Sequence, residues 1–177
     1  MDAMNIFRGN FSHIDLGPCT LHLLTDEDRL LLHELFRDPD VRKYFVLSDE
    51  HSRDIDAFHE YLLNMFLHRG GFLYVIHTPE GQKAGIICVE FEREGNFLIG
   101  KTSYAILTRY RNRGYATVAL TMVGVFLTNS QIDTLVLDIN LENEASMAVA
   151  RAAYYVTDRI GHLDPEHPDV GPRKKWR

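Results

Sequence analysis

The sequence predicts an α/β fold of the α+β kind: a mixed, mostly antiparallel central sheet of about six or seven strands flanked by helices. Three observations predict it. Apolar residues recur at helical spacing early in the chain, then give way to segments rich in β-branched and aromatic residues. Turn chemistry, PEGQ and REGN, separates three of those segments with no room for a crossover, so they form an antiparallel meander. After the meander, helix-like and strand-like segments alternate, as they do when helices cover the faces of a sheet.

Taken in order, LHLL (Leu21 to Leu24) reads as a short strand. TDEDRLLLHELFRD then carries Thr25 and Asp28 in capping-box spacing ahead of Leu30, Leu31, Leu35 and Phe36, a helix with an acidic first turn. DPDVRKYFVLSDEH is a loop or a broken short helix. A second helix is expected from about Ser52 to His68, with Ile55, Phe58, Leu62, Met65 and Phe66 on one face and Gly70-Gly71 as its stop. FLYVIHT, KAGIICVEFE and NFLIGKTSYAIL are the meander. YATVALTMVGVFLT is apolar apart from Thr117, Thr121 and Thr128, hence a largely buried helix. DTLVLDIN is a strand, NEASMAVARAA an alanine-rich helix, YYVTD another strand, and HLDPEHPDVGPRKKWR a polar turn before an edge strand.

The 177 residues suit a single domain over 1–177. Hydrophobic residues at 45% and charged residues at 25% are ordinary for a soluble globular chain. No run of about 18 apolar residues offers a membrane span, and no signal or lipidation motif is visible, so the expectation is a cytoplasmic protein without a membrane partner. The net charge of -6 argues against a nucleic-acid-coating role. Cys19 and Cys88 lie far apart and form no C-x-x-C pair, so they read as reduced core residues. No metal is expected. HELFR at His33 and HEYLL at His59 begin like a zinc-protease helix, but Arg37 and Leu63 stand where the second histidine is required. His162, Asp164, His167 and Asp169 surround Pro165 and Pro168 and read as an exposed turn.

Gly95 to Thr102, GNFLIGKT, fits the phosphate-loop pattern G-x-x-x-x-G-K-[S/T], with TLVLD downstream as a possible magnesium-binding strand, so a phosphotransferase is one alternative function. Its free positions are Asn96, Phe97, Leu98 and Ile99. Bulky and β-branched residues disfavour the loop's positive φ angles, and the same stretch reads better as a hairpin turn and strand. A better anion site follows in RYRNRGYATVAL. Arg109, Arg111, Arg113, Gly114 and Ala116 mark a strand running through a glycine loop into a helix, which aims N–H groups and the helix dipole at one spot. Arginines there can add bidentate contacts to phosphate.

With the meander before it and N-x-x-S (Asn143 to Ser146) after it, the segment Ser103 to Tyr155 resembles the GNAT superfamily of acyl-CoA-dependent N-acyltransferases. The signature R/Q-x-x-G-x-G/A is matched by Arg111-Asn112-Arg113-Gly114-Tyr115-Ala116, and LHLLTDEDRLLLHELFRDPDVRKYF is similar to the opening of the ribosomal-protein N-terminal acetyltransferase branch. The resemblance implies a GNAT-like fold, acetyl-CoA as cosubstrate, an amine acceptor that is a small molecule or a protein N-terminus, and an optional homodimer. It implies that the backbone of Tyr104, Ala105, Ile106 and Leu107 pairs with pantetheine while its strand splays from LVLDIN. The N–H groups of Arg111, Asn112, Arg113, Gly114, Tyr115 and Ala116 then hold pyrophosphate. Asn143 bonds the cofactor arm, and Ser146 lies near the thioester sulfur.

Transfer needs a neutral amine, which makes a base useful, since amino groups titrate between about 8 and 10.4. Glu90 and Glu92, on one face of a strand, are the candidates. Ser146 or a nearby tyrosine can protonate the leaving thiolate. Two departures from the family pattern stand out: Ala150 where relatives place a tyrosine acid, and Tyr154-Tyr155 where they commonly have Gly-Phe or Gly-Tyr. They keep open a second alternative, an acyl-CoA-binding sensor with little transferase activity. Tyr61, Met65, Phe66, Phe72 and Tyr74 read as core or as the lining of an acceptor pocket.

Overall fold

A computed structural model describes residues 13–15, 17–45, 51, 53–68, 70–128, 132–162 and 173–177, with side chains outside 65–68, 128, 158–162 and 173–175. Among these residues eight strands form one sheet: β1 (His13–Asp15), β2 (Thr20–Leu23), β3 (Gly71–His77), β4 (Lys83–Glu94), β5 (Phe97–Ile106), β6 (Thr134–Asn140), β7 (Thr157–His162) and β8 (Arg173–Trp176), in the spatial order β1-β2-β3-β4-β5-β6-β8-β7. The helices are α1 (Arg29–Leu35), α2 (Pro39–Tyr44), α3 (Ile55–His68), α4 (Tyr115–Thr128) and α5 (Glu144–Ala152). None of them is long and apolar enough to cross a membrane.

The early elements follow their local chemistry. The Asp28 carboxylate accepts the Thr25 N–H at 2.7 Å and the Thr25 hydroxyl at 3.0 Å, starting the short 3-10 turn that leads into α1. Lys83 reaches the same carboxylate at 2.6 Å, so a nearly buried acid is paired. The stretch left open as a loop or short helix contains α2. Asp38 caps it by accepting the Asp40 N–H at 2.9 Å, and Pro39 sits in its first turn, where a missing N–H costs nothing. His33 bonds Asp56, and the buried His59 bonds the Thr25 carbonyl oxygen at 3.0 Å, so both have structural partners. Cys19 and Cys88 are free and buried. Of the tail residues read as an exposed turn, 164, 167 and 169 and the His162 side chain fall outside the described set.

GNFLIGKT is a hairpin turn followed by strand, which removes the phosphotransferase reading. Gly95, at φ 63°, and Asn96 turn the β4–β5 hairpin, and pairing runs from Glu94↔Phe97 to Gly85↔Ile106. Gly100 is needed for closeness rather than for a loop: a Cβ there would lie 2.4 Å from Leu135 Cδ2 and 2.9 Å from Val89 Cγ1. Lys101 extends along β5 and pairs with Glu92. No helix begins at Thr102.

The other differences lie at the sheet's two ends. β1 adds a strand that a three-residue HID segment with one apolar residue did not announce. The strand expected at YYVTD starts later, at Thr157, because Tyr154 and Tyr155 terminate α5: the Tyr155 N–H bonds the Ala150 carbonyl at 3.0 Å and the Tyr154 N–H bonds Arg151 at 3.1 Å. This is the Schellman pattern, with Tyr154 at φ 66° in the left-handed position. β8 is not the edge strand expected. It lies between β6 and β7, pairing Leu137↔Trp176 on one side and Thr157↔Trp176 on the other, with Trp176 buried.

Candidate functional site

The parallel pairing of β5 with β6 covers only Ile99, Gly100 and Lys101 against Thr134, Leu135 and Val136. Beyond it the strands part: β6 turns its Leu137–Asn140 segment to β8, while β5 continues to Ile106 paired only with β4. One flank of Thr102–Ile106 therefore faces open space inside the molecule, with backbone N–H and C=O groups available to an added strand. The opening is a cavity of about 1520 Å³. That exceeds the usual size of a single small-molecule pocket and leaves room for a long ligand plus an acceptor. Tyr104, Ala105 and Ile106 form one wall, Val136 to Asn140 the other, and Asn143 to Ser146 of α5 its margin.

One end is closed by the glycine loop. After a 3-10 turn at Thr108–Tyr110, Asn112 takes φ 60° and Gly114 φ 84°, and Gly114 opens α4 by accepting the Val118 N–H at 2.9 Å. Left-handed residues alternating with right-handed or extended ones curl N–H groups toward a common centre, and the first turn of a helix presents unsatisfied N–H groups beside them. Arg111, Asn112, Gly114, Tyr115, Ala116 and Thr117 face the cavity. The residues therefore fit a diphosphate, and the fit is made by backbone.

The arginine side chains are differently engaged from the sequence expectation. Arg111 donates through Nε to the Ile106 carbonyl at 3.1 Å, and its guanidinium bonds Asp38 at 2.8 Å and Asp40 at 3.3 Å, tying the end of β5 to the start of α2. Arg109 is paired with Glu34, and Arg113 lies over the Tyr110 ring. Neither Arg109 nor Arg113 lines the cavity, so of the three arginines only Arg111 does. Leu107, expected to pair with pantetheine, is buried and its N–H bonds the Ala84 carbonyl at 2.9 Å. The available backbone is thus Tyr104 to Ile106.

Asn143 caps α5, its Oδ1 accepting the Ser146 N–H at 3.0 Å. Ser146 Oγ lies 2.5 Å from the Tyr104 hydroxyl. Burial pushes the Tyr104 phenol up to about 12, against the pull of that hydrogen bond. Of the two candidate bases, Glu90 lines the cavity and Glu92 does not. Partial desolvation moves the Glu90 pKa up from the ordinary glutamate value although the residue keeps an exposed face; Lys101 opposes the shift and Glu92 adds to it. Glu92 is committed to Lys101. Glu90 is thus the better-placed proton acceptor. His51, Phe58 and Tyr61 give the cavity an aromatic lining, the His51 ring centroid 4.6 Å from that of Tyr61. Phe72 and Tyr74 belong to the core, and the Met65 and Phe66 side chains lie outside the described residues. Ala150 is wholly buried.

Sequence reasoning missed the Tyr104 hydroxyl, because strand alternation does not say which helix a side chain will meet. It also missed the Asp38–Arg111 clamp, although Asp38-Pro39 is a readable helix start.

Comparison with known proteins gives one family model, described as an acetyltransferase (GNAT) domain, which matches residues 19–153. Solved structures share the fold at low identity. An acetyltransferase from Salmonella typhimurium that modifies the N-terminal serine of 50S ribosomal subunit protein L7/L12 superposes with TM-score 0.75 at 15% identity, covering 93% of this chain and 96% of its own. A spermidine N-acetyltransferase SpeG chimera from Vibrio cholerae and hSSAT gives 0.72 at 13%, covering 90% and 94%. The microcin C7 self-immunity acetyltransferase MccE, in complex with acetyl-CoA and AMP, gives 0.76 at 15%, covering 94% and 96%. No curated protein sequence matches the chain.

Proposed function

The chain belongs to the GNAT acetyltransferase family, and on that footing we propose that it holds acetyl-CoA in the wedge between β5 and β6 and acetylates a primary amine entering from the Glu90 side. The observation that carries this reading is the parting of β5 from β6 beside the Asn112–Gly114 loop, an extended backbone and an anion cradle lining one cavity.

Acetyl-CoA supplies the acetyl group as an activated thioester. The protein's part begins with alignment. Backbone groups of Tyr104 to Ile106 take the pantetheine arm as a sheet takes a strand, and the N–H groups from Asn112 to Ala116 take the diphosphate. Asn143, fixed by its cap, offers its amide NH2 to the arm. Glu90, with its raised pKa, accepts a proton from the amine directly or through water, and Ser146 offers a hydrogen to the sulfur. Much of the rate enhancement comes from holding amine and thioester in register.

The acceptor is a cationic amine. Asp40, Glu90, Asp138, Glu142 and Glu144 line the cavity against the cations Lys101 and Arg111, a balance that favours a positively charged partner. The similar folds acting on a protein N-terminus and on spermidine bracket the choice. Thermal unfolding with acetyl-CoA, and separately with ATP and magnesium, tests the site: at 100 times its dissociation constant a ligand adds about 2.7 kcal/mol. Stabilisation by acetyl-CoA alone is expected, and stabilisation by ATP alone contradicts the reading. Thiol release from acetyl-CoA with polyamines, and with peptides bearing free N-termini, then sorts the acceptors.

A further inference from the structure

Tyr104 reaches from β5 across the wedge to the first turn of α5, where its hydroxyl lies 2.5 Å from Ser146 Oγ and 3.4 Å from the Ser146 carbonyl oxygen. Each hydroxyl carries one hydrogen, so when two meet, one donates and the other keeps its hydrogen for a third group. A phenol is the more acidic of the pair and Oγ is much the nearer of its two acceptors, so Tyr104 donates to Oγ and not to the carbonyl. Ser146 Oγ accepts, and its own hydrogen is left to turn into the cavity that both residues line.

We propose that Tyr104 is a positioning residue: by donating to Ser146 Oγ it aims the serine hydrogen at the sulfur of a coenzyme A group held in the wedge. The proposal rests on reading the wedge as the acyl-CoA site. Ser146 is held from two directions, its N–H by Asn143 Oδ1 at 3.0 Å and its Oγ by Tyr104, so neither its backbone nor its hydroxyl is left to wander. Three other tyrosines are engaged elsewhere: Tyr110 donates to Gln82 Oε1 at 2.7 Å, Tyr44 to the Glu142 carbonyl, and the Tyr155 hydroxyl is buried away from the cavity. With Ala150 buried, Tyr104 is the phenol bonded to α5 among the described residues. Its raised pKa means it keeps its proton at neutral pH, so it orients and does not ionise. The first turn of α5 adds its N–H groups and dipole, which also favour negative charge on sulfur.

The test needs only coenzyme A and no acceptor. The thiol of bound coenzyme A is titrated by the ultraviolet absorbance of its thiolate, as a difference from unliganded protein, and its affinity is measured by calorimetry at neutral pH. Cys19 and Cys88, pushed up to about 11 and about 12 by burial, stay silent in the working range. In the wild type, the bound thiol ionises below free coenzyme A. Tyr104→Phe raises that pKa by about one unit, with affinity at neutral pH changed less than about twofold. Ser146→Ala raises it at least as far, and Tyr104→Phe combined with Ser146→Ala gives the Ser146→Ala value, because the tyrosine acts only through the serine. A thiol pKa unmoved by Tyr104→Phe, or a further rise when it is added to Ser146→Ala, overturns the proposal while leaving the acyl-CoA site intact. If the wild type does not bind coenzyme A, the site reading itself falls, and the proposal with it.

Discussion

Replacing Tyr154 with glycine should stabilise the protein. Tyr154 closes α5 in the left-handed region at φ 66°, a conformation that costs an L-residue about 1–2 kcal/mol and glycine almost nothing. Glycine gives back part of that gain through the greater freedom of its unfolded chain, about 0.5–1 kcal/mol. Little else is lost, because the Tyr154 side chain is 86% exposed. The two Schellman bonds use backbone groups that glycine retains. The net expectation is a gain of about 0.5–1 kcal/mol, or about 1–4 °C in Tm for a chain of this size. Thermal and urea unfolding measure it, with Tyr154→Ala as the control. Alanine keeps the strain and loses the ring, so it should match the wild type or fall below it. A glycine variant no more stable than the alanine variant refutes the strain argument and leaves the exposed ring as the source of the helix end's stability.

Three further outcomes are expected. Gly114→Ala, at φ 84° with nothing near the added Cβ, should cost about 1 kcal/mol of stability from strain alone and weaken acetyl-CoA binding, read by chemical denaturation and calorimetry. Arg111→Met should destabilise by about 1–3 kcal/mol, because Asp38 loses its ion pair and the Ile106 carbonyl the Arg111 Nε donor, and its loss in Tm should exceed its loss in coenzyme A affinity. Asp28→Asn should destabilise in a pH-dependent way. Desolvation alone would raise the Asp28 pKa, but the bonds from Lys83 and Thr25 outweigh it and hold it low. A depressed folded pKa gives stability that is full above the unfolded value near about 3.9 and is lost as pH falls through the folded one. The gap between wild type and variant should therefore be widest near neutrality and close in acid; a gap that persists there would assign the cost to packing.

Much of this architecture was legible because local signals agreed with the fold. The hairpin at Gly95-Asn96, the capping pair Thr25–Asp28 and the glycine at 114 each act within a few residues, so the sequence displays them directly. GNFLIGKT could be judged by the same local physics, since Phe97, Leu98 and Ile99 suit a strand. What stayed hidden was decided over long separations. Arg111 meets Asp38, Arg109 meets Glu34, and Tyr104 meets Ser146, none of them neighbours in sequence. An arginine beside a glycine loop looks like a phosphate ligand until a carboxylate from a distant helix is seen to occupy it. The two glutamates of β4 show the same limit. Strand periodicity places Glu90 and Glu92 on one face, but only the neighbouring lysine and the cavity wall separate their roles.

The position of β8 bears on how the chain is assembled. β7 precedes β8 in sequence, yet among the described residues it reaches the rest of the sheet only through β8. In a chain made from its N-terminus, β1 to β6 can join in order as they appear, whereas β7 emerges with no strand to join and waits for the residues that follow. The far side of the sheet is thus completed by inserting a later strand between two earlier ones, a non-local closure that belongs among the slower steps of folding. β6 spends that interval as an edge, the backbone groups of Leu137 to Asn140 left to water until β8 pairs with them.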